Sequence, residues 1–235
     1  TGTNGKTTTT ELVSRILKQA GLGGTPCGNY GAPLSEILLA ADIPAVIALE
    51  LSSFQLETIE NLRPRVSIWL NFAPDHMDRY PSVEAYKSAK LRIFENQTHE
   101  DAVVVRHGED LGKLEPRVIT FSTESRDADF FSDGVTVTQG GRILLDLEAE
   151  TSLRGLHNAE NAMAAMAACM AYGIDPSLIP AALRGYAPPP HRCELIRTLD
   201  GVDWVNDSKA TNLDSVEKAL AGETHPVVLI AVDQI

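Results

Sequence analysis

The residues best suited to chemistry open the chain, in the segment Thr1-Gly2-Thr3-Asn4-Gly5-Lys6-Thr7-Thr8. Two glycines allow a tight loop whose backbone N–H groups point inward, and the apolar spacing that follows predicts a helix directly after it. Amides at a helix N-terminus bind polyphosphate, a lysine neutralises the β and γ oxygens, and a threonine hydroxyl can ligate Mg²⁺. The segment therefore predicts nucleotide hydrolysis or phosphoryl transfer, with a nucleotide-binding set of Gly2, Asn4, Gly5, Lys6, Thr7 and Thr8.

A Gly-Lys-Thr sequence also occurs by chance, and the glycine that would open the full phosphate-loop pattern would precede Thr1. The alternative is an ordinary turn followed by an exposed helix start. The helix that follows favours the phosphate loop, because its apolar residues lie on one face and Gly21 marks its end. These apolar residues are Leu12, Val13, Ile16, Leu17 and Ala20.

Two further chemical groups follow apolar runs that predict buried strands. Glu50 follows the run at 45–49, and His76 lies past the run at 66–70, among several carboxylates. Nucleotide enzymes of the α/β class bind ligands at the carboxyl ends of such strands, so we predict that both residues are metal ligands. The alternatives are an acidic residue that only begins a loop, for Glu50, and a hydrogen-bonded structural histidine, for His76.

Composition limits the class of protein. The 235 residues include 43% hydrophobic and 22% charged residues, as in globular proteins, and the net charge of −12 argues against nonspecific nucleic-acid binding. No apolar stretch approaches the roughly 20 residues that span a bilayer, and we expect no signal peptide. Three widely spaced cysteines, at 27, 169 and 193, indicate reduced packing residues rather than a zinc site, and therefore a cytoplasmic protein. The negative charge and the lack of a membrane-spanning stretch predict no nucleic-acid or membrane partner.

The remaining patterns predict an α/β fold with a P-loop-type, mostly parallel sheet flanked by helices. Strands from residue 102 onward predict a small antiparallel appendage, and the glycine-rich stretch 21–31 predicts a loop that approaches a ligand. After the first helix, the predicted helices are 33–41, 52–62, 82–96, 158–172, 176–183 and 213–220. The predicted strands are 45–49, 66–70, 102–105, 117–122, 130–131, 135–137, 142–147, 194–199, 203–206 and 227–231.

The run Ala187-Pro188-Pro189-Pro190 predicts a linker between two domains, 1–187 and 188–235. A phosphate loop normally follows a buried strand, so we expect that the first domain lacks its first strand. The second region begins a separate α/β domain that stops short. We therefore expect this sequence to be a portion of a longer protein.

With these motifs in view, the sequence resembles the ATP-dependent Mur ligases of bacterial cell-wall synthesis over almost its whole length. The phosphate loop alone would also suit folylpolyglutamate synthetases, and the runs Ser-Phe-Gln-Leu and His-Met-Asp-Arg-Tyr favour the family members that add D-glutamate. The matching segments are 2–7, 49–56, 75–80, 89–92, 157–161, 190–192 and 206–212.

The resemblance implies a central ATPase domain followed by the N-terminal part of a Rossmann-like domain. It also implies an enzyme that joins the carboxyl group of UDP-MurNAc-L-alanine to the amine of D-glutamate, with ATP and two Mg²⁺ ions, through an acyl phosphate. We expect this enzyme to be a monomer. The alternatives are another Mur ligase, a folylpolyglutamate synthetase or a nucleotide-binding module without catalysis. The family usually continues after residue 231 with glycine-rich sequence, whereas this chain has Val232-Asp233-Gln234-Ile235.

The resemblance also implies roles for individual residues. Lys6 would hold the γ-phosphate, Thr7 and Glu50 would ligate one Mg²⁺, and Glu50 with His76 the second. Lys90 would be carbamylated and would help position the second metal. The remaining implied contacts are Asn29, Ser52, Ser53, Gln55 and His157 to the muramoyl substrate, Asn161 to adenine, Arg192 and Asp207 to the nucleotide, and Lys209 and Thr211 to the amino acid substrate.

Overall fold

The computed structural model describes residues 1–221 and 225–231 and divides the chain into two units, Thr1–Pro188 and Pro189–Ile235. The division falls within the proline run that predicts a linker. The assignment of each unit to a particular kind of domain stays a prediction. No helix in the described ranges is long and apolar enough to cross a bilayer.

The first unit combines two sheets with helices. Its helices are α1 (Lys6–Gln19), α2 (Leu34–Leu39), α3 (Ser53–Leu56), α4 (Val83–Leu91), α5 (Leu147–Glu150), α6 (Leu156–Tyr172) and α7 (Ile179–Leu183). Its strands are β1 (Gly23–Gly28), β2 (Val46–Glu50), β3 (Val66–Trp69), β4 (Ala102–Arg106), β5 (Arg117–Ser122), β6 (Phe130–Ser132), β7 (Thr136–Gln139) and β8 (Arg142–Asp146). Short 3₁₀ turns, Arg92–Phe94 and Pro176–Leu178, extend α4 and precede α7.

Strands β1 and β2 form a parallel pair, and the other six form a sheet in the order β3-β4-β5-β6-β7-β8. Neighbours from β3 to β6 are parallel, and β6, β7 and β8 are antiparallel. The prediction of an antiparallel patch starting at residue 102 was therefore wrong for β4 to β6. Only the tight turns at Asp133-Gly134 and Gly140-Gly141 reverse the chain between adjacent strands, whereas the longer connections allow parallel pairing.

The continuous apolar sequence of β4 is explained by helices on both sides of the sheet. Val104 packs in one core cluster with α1 and α6, while Val103 and Val105 pack in a second cluster with Leu56 of α3 and with Ile93, in the turn that extends α4. Alternate residues of a strand point to opposite faces, so a strand buried on both faces is apolar throughout. Residues 162–167 of α6 are fully buried, and none of their side chains is larger than methionine. These side chains allow α6 to pack closely beneath the sheet.

The glycine-rich stretch 21–31 contains strand β1, which the sequence did not predict. Gly24 has φ +126°, and a Cβ there would lie 2.4 Å from the carbonyl oxygen of Ser14 on α1. Glycine is thus required by the close approach of strand and helix. The pairing of β1 with β2, which propensity does not reveal, determines its strand conformation.

The second unit contains the antiparallel pair β9 (Glu194–Leu199) and β10 (Val202–Asn206), followed by α8 (Leu213–Ala221). The predicted strand at 227–231 is not formed, and Val228 and Ile230 are exposed. An apolar run becomes a strand only where a neighbouring strand accepts its hydrogen bonds, and none in the described ranges does so. Residues 232–235 lie outside the described residues. The helix predicted at 52–62 is also shorter, as α3 ends at Leu56.

Candidate phosphate and metal site

The segment before α1 has the geometry of a phosphate loop. Gly5, directly before α1, has φ +82°, and a Cβ there would lie only 2.1 Å from Oδ1 of Asn161. The first turn of α1 contains no acidic side chain. Its N–H groups and positive dipole end are therefore suited to an anion, as the sequence predicts.

Lys6 and Lys90 both donate to the carbonyl oxygen of Gly2, each over 3.0 Å. Lys6 also donates to the carbonyl oxygen of Thr3 over 2.7 Å, so its side chain folds over the loop. The structure thus brings together two lysines that are 84 positions apart in the sequence, at the point where the loop would hold phosphate. Two ammonium groups beside one another favour an anion between them.

Lys90 lies on α4, and its side chain is only 2% exposed. Its Nζ lies 4.7 Å from the centroid of the Tyr86 ring. The pKa of Lys90 is lowered from 10.5 to about 7, chiefly by burial and then by the charge of Lys6, whereas the charge of Asp75 acts to raise it. A substantial fraction of the Lys90 side chains is therefore neutral at neutral pH.

Glu50 is the last residue of β2 and is 3% exposed. Its Oε1 accepts a hydrogen bond of 2.8 Å from Nδ2 of Asn29. Its Oε2 is buried and has no hydrogen-bond partner among the described residues. A buried carboxylate oxygen without a partner is costly in free energy unless a cation or a donor binds it, so this geometry fits a metal ligand.

The phosphate loop is fixed to the segment that follows β3. The side chain of Asn71 accepts from the backbone nitrogen of Asn4 over 2.9 Å and donates to its carbonyl oxygen over 3.2 Å. The Thr3 hydroxyl bonds both the nitrogen and the oxygen of Ala73 at 3.0 Å. Asn71 has no predicted role, yet its position directly after an apolar strand is the same signal that identifies Glu50.

His76 is half-exposed and has an uncommon positive φ of 55°. Its backbone nitrogen donates to Oδ1 of Asp75 over 2.8 Å, and its ring lies 6.0 Å from that of Tyr86, edge to face. The Tyr86 ring also contacts Lys90, so this ring lies between His76 and the buried lysine. Positive φ at a residue other than glycine costs free energy and is concentrated at functional sites.

The predicted metal ligands are Thr7, Glu50, His76 and Lys90. Thr7 is buried in the first turn of α1. Within residues 1–221 and 225–231, no three His, Cys, Asp or Glu side chains form a group that could hold a metal ion. The unpartnered oxygen of Glu50 fits one cation, and the assignment of these four residues to metal binding stays a prediction.

Several residues predicted to contact the substrate are engaged within the protein. Ser52 and Gln55 form a capping box at the start of α3, in which each side chain bonds the backbone nitrogen of the other. Ser53 is buried, and His157 lies in the first turn of α6. Asn161 is buried beneath the phosphate loop, where its Oδ1 accepts from the Thr9 hydroxyl over 3.4 Å. Their contacts with substrate or adenine stay predictions.

The remaining predicted residues lie in the second unit. Oδ1 of Asp207 accepts from the backbone nitrogen of Cys193 over 3.0 Å, and the backbone nitrogen of Lys209 donates to the carbonyl oxygen of His191 over 3.1 Å. These bonds hold the segment containing Arg192 against the segment containing Thr211. Roles in nucleotide or amino acid binding for these residues stay predictions.

A family model described as the Mur ligase middle domain matches residues 1–169. Similar curated proteins include the UDP-N-acetylmuramoylalanine--D-glutamate ligases of Geotalea uraniireducens (strain Rf4), 42% identical over 239 residues, and Myxococcus xanthus (strain DK1622), 43% identical over 245 residues. Each match covers 98% of this chain, and 53% and 54% of the respective relative. The chain thus spans about half the length of the curated relatives it matches.

Solved structures resemble the chain as well. The MurF ligase from Thermotoga maritima in complex with ADP has a TM-score of 0.71 at 17% identity, covering 94% of this chain and 55% of that one. The UDP-N-acetylmuramate-alanine ligase MurC from Thermotoga maritima has a TM-score of 0.66 at 23% identity, covering 94% and 52%. These similarities confirm the predicted α/β fold, with a mostly parallel sheet and flanking helices.

Proposed function

The chain belongs to the Mur ligase family, and from this membership we propose that it carries the ATP-binding part of a ligase that adds D-glutamate to UDP-MurNAc-L-alanine. About 42% identity to ligases named for that reaction supports the choice of substrates. The observation that carries the proposal is the buried, unpartnered Oε2 of Glu50 at the end of β2, a strand that packs against α1, together with two lysines that converge on the phosphate loop before α1. A protein that only bound nucleotide would not need the second metal site that we propose for Glu50 and His76.

The reaction must activate a carboxylate, which is a poor electrophile. In the first step, an oxygen of the alanine carboxylate attacks the γ-phosphorus of ATP, the bond to the β-phosphate oxygen breaks, and ADP leaves. In the second step, the amine of D-glutamate attacks the acyl carbon, phosphate leaves, and the amine loses a proton to form the amide. Both steps bring several anionic groups together, so the site must supply positive charge.

We assign the residues of the phosphate loop to holding ATP, with the N–H groups of Gly5, Lys6, Thr7 and Thr8 directed at phosphate oxygens. Lys6 would leave the carbonyl oxygens of Gly2 and Thr3 and bind the γ-phosphate. Bound Mg²⁺ would screen the phosphate charge, with Thr7 and Glu50 holding one ion and Glu50, His76 and modified Lys90 the other. The role of Asn71 is to keep the loop in register with the end of β3.

We propose that Lys90 is carbamylated. Its burial and its lowered pKa, about 7, favour the neutral amine that attacks CO₂. The amine nitrogen forms a bond to carbon and loses a proton, and the product is a carbamate with one negative charge. This change replaces a repulsive cation beside Lys6 by an anion, which relieves the electrostatic cost of the two neighbouring lysines.

The proposal is tested by Glu50→Ala and His76→Ala in the protein at the full length of its relatives. We expect each variant to lower turnover by at least about 100-fold, while ATP binding changes less. Glu60→Gln, which changes an exposed acid ten residues from Glu50, is the matched control and should keep normal turnover. Near-normal turnover of both alanine variants would remove these residues from the catalytic site.

Substrate identity is tested by ADP release. It should require UDP-MurNAc-L-alanine together with D-glutamate, and folate with L-glutamate should not replace them. ADP release with another muramoyl peptide and amino acid would instead indicate a different member of the family. We further propose that the protein acts as a cytoplasmic monomer, and light scattering after size-exclusion chromatography tests the oligomeric state.

A further inference from the structure

Asn29 contacts Glu50 twice, through its side chain and through its backbone. Its Nδ2 donates to Oε1 of Glu50 over 2.8 Å, and its backbone nitrogen donates to the carbonyl oxygen of Glu50 over 2.9 Å. The family resemblance implies a contact between Asn29 and the substrate. In the structure, the side-chain amide of Asn29 instead forms a hydrogen bond with Glu50, the carboxylate that we propose as a metal ligand.

The orientation of the Asn29 amide follows from its partner. A carboxylate accepts hydrogen bonds and cannot donate them, so only the NH₂ side of the amide can face Oε1 of Glu50. The bond is charge-assisted, which makes it stronger than a bond between neutral groups. It satisfies Oε1 and leaves Oε2, buried and unpartnered, as the oxygen available to a ligand.

The segment 28–31, here called the Asn29 loop, is closed tightly onto β1 and β2. The Gly28 nitrogen donates to the carbonyl oxygen of Ala32 over 2.8 Å, and the Ala32 nitrogen donates to that of Pro26 over 3.0 Å. A Cβ on Gly28 would lie 2.3 Å from the carbonyl oxygen of Glu50, and Gly28 has φ +103°. Only glycine lets the loop come this close, so its position at the end of β2 is defined by backbone packing.

A second anchor ties the Asn29 loop to α1. The hydroxyl of Tyr30 donates to Oε1 of Glu11 over 2.5 Å, and the hydroxyl of Tyr186 donates to Oε2 of the same carboxylate over 2.8 Å. Glu11 lies on α1, just over one turn after Lys6. The helix that starts at the phosphate loop therefore also holds the residue next to Asn29.

We propose that Asn29 is a positioning residue that holds Oε1 of Glu50 and thereby presents Oε2 to a divalent cation bound with the nucleotide. This inference rests on the proposed role of Glu50 as a metal ligand. Residues that orient metal ligands typically contribute 10- to 100-fold to metal affinity. The effect of Asn29 should accordingly pass through Glu50 rather than through a separate contact with substrate.

The test measures the affinity for a fluorescent ATP analogue, MANT-ATP, in Mg²⁺ and in EDTA, using the protein at the full length of its relatives. The ratio of the two dissociation constants gives the gain in nucleotide affinity due to Mg²⁺. We expect Asn29→Leu, which keeps the size but removes the donor, to reduce this gain about 10-fold. Asn29→Gln, which keeps a donor, should reduce it less, and Asn61→Leu, at an exposed asparagine, should not change it.

A double variant separates positioning from direct contact. In a Glu50→Gln background, Asn29→Leu should not lower the gain in nucleotide affinity any further. If the double variant instead shows the product of the two separate losses, the proposal is overturned. Equal gains in Asn29→Leu and the unchanged protein would also overturn it, provided that Glu50→Gln lowers the gain. If Glu50→Gln leaves the gain unchanged, the metal role of Glu50 itself fails. Asn29→Ala removes the same donor and replaces the leucine variant should that protein not fold.

Discussion

The buried amine of Lys90 makes a quantitative prediction about stability. Its pKa is lowered from 10.5 to about 7, mainly by burial and then by the charge of Lys6. Between these two values the unfolded chain carries a proton on Lys90 and the folded chain largely does not. The free energy of unfolding therefore rises with pH in this window, and the penalty for burying the charge is complete below about pH 7.

The size of the effect follows from the linkage relation. With one pKa near 7 in the folded state and one near 10.5 in the unfolded state, the contribution of Lys90 to the free energy of unfolding increases by about 2 to 3 kcal/mol from pH 7.5 to 9.5. Lys90→Met keeps an unbranched side chain and removes the titrating amine. The difference in stability between the two proteins should therefore change by this amount over the two pH units.

The assay is urea unfolding of this chain, followed by far-ultraviolet circular dichroism at pH 7.5, 8.5 and 9.5 in buffers freed of CO₂. The comparison with Lys90→Met removes the contributions of all other titrating groups. Lys6→Met should raise the pKa of Lys90 and weaken its pH dependence, because the second cause of the shift is then absent. Added bicarbonate should stabilise the unchanged protein relative to Lys90→Met.

A stability difference between the unchanged protein and Lys90→Met that stays constant from pH 7.5 to 9.5 would refute the reasoning. It would mean that the Lys90 amine is protonated in the folded protein throughout this range. The physical support for carbamylation would then be lost, because the neutral amine would be scarce. An unchanged slope in Lys6→Met, with the main effect present, would refute only the contribution of the neighbouring charge.

Two further predictions concern the packing around the phosphate loop. Gly5→Ala should destabilise the chain by more than about 2 kcal/mol in urea unfolding, because the new Cβ would clash with Asn161 and φ at this position is positive. Gly140→Ala, which also has a positive φ but no close neighbour, should cost about 1 kcal/mol. Equal costs for the two variants would show that the clash does not contribute. Tyr186→Phe leaves a carboxylate oxygen of Glu11 without its donor and should lower the free energy of unfolding by about 1 to 3 kcal/mol, whereas Tyr172→Phe, at an exposed tyrosine, should change it very little. Thermal denaturation measures both variants, and a midpoint unchanged by Tyr186→Phe would show that this bond contributes no stability.

Local sequence accounts for much of the framework. The phosphate loop and α1 follow from two glycines, a lysine and a helical apolar period, all within 20 residues. The ends of β2 and β3 follow from apolar runs that stop at polar residues, which is why Glu50 is identifiable. Strand β1 is not identifiable in this way, because glycine and proline disfavour strands and only its pairing with β2 makes it one.

The sequence by itself determined the elements whose signals are local, namely the phosphate loop, the buried strands and the polar residues at their carboxyl ends. Tertiary structure alone decided that Lys90 meets Lys6 at Gly2, that Asn29 engages one oxygen of Glu50, and that β4 to β6 run parallel. The physical reason is that burial, charge proximity and strand pairing depend on residues far apart in the chain. Only packing brings those residues together. It thereby lowers the pKa of the Lys90 amine and determines which oxygen of Glu50 is left without a hydrogen-bond partner.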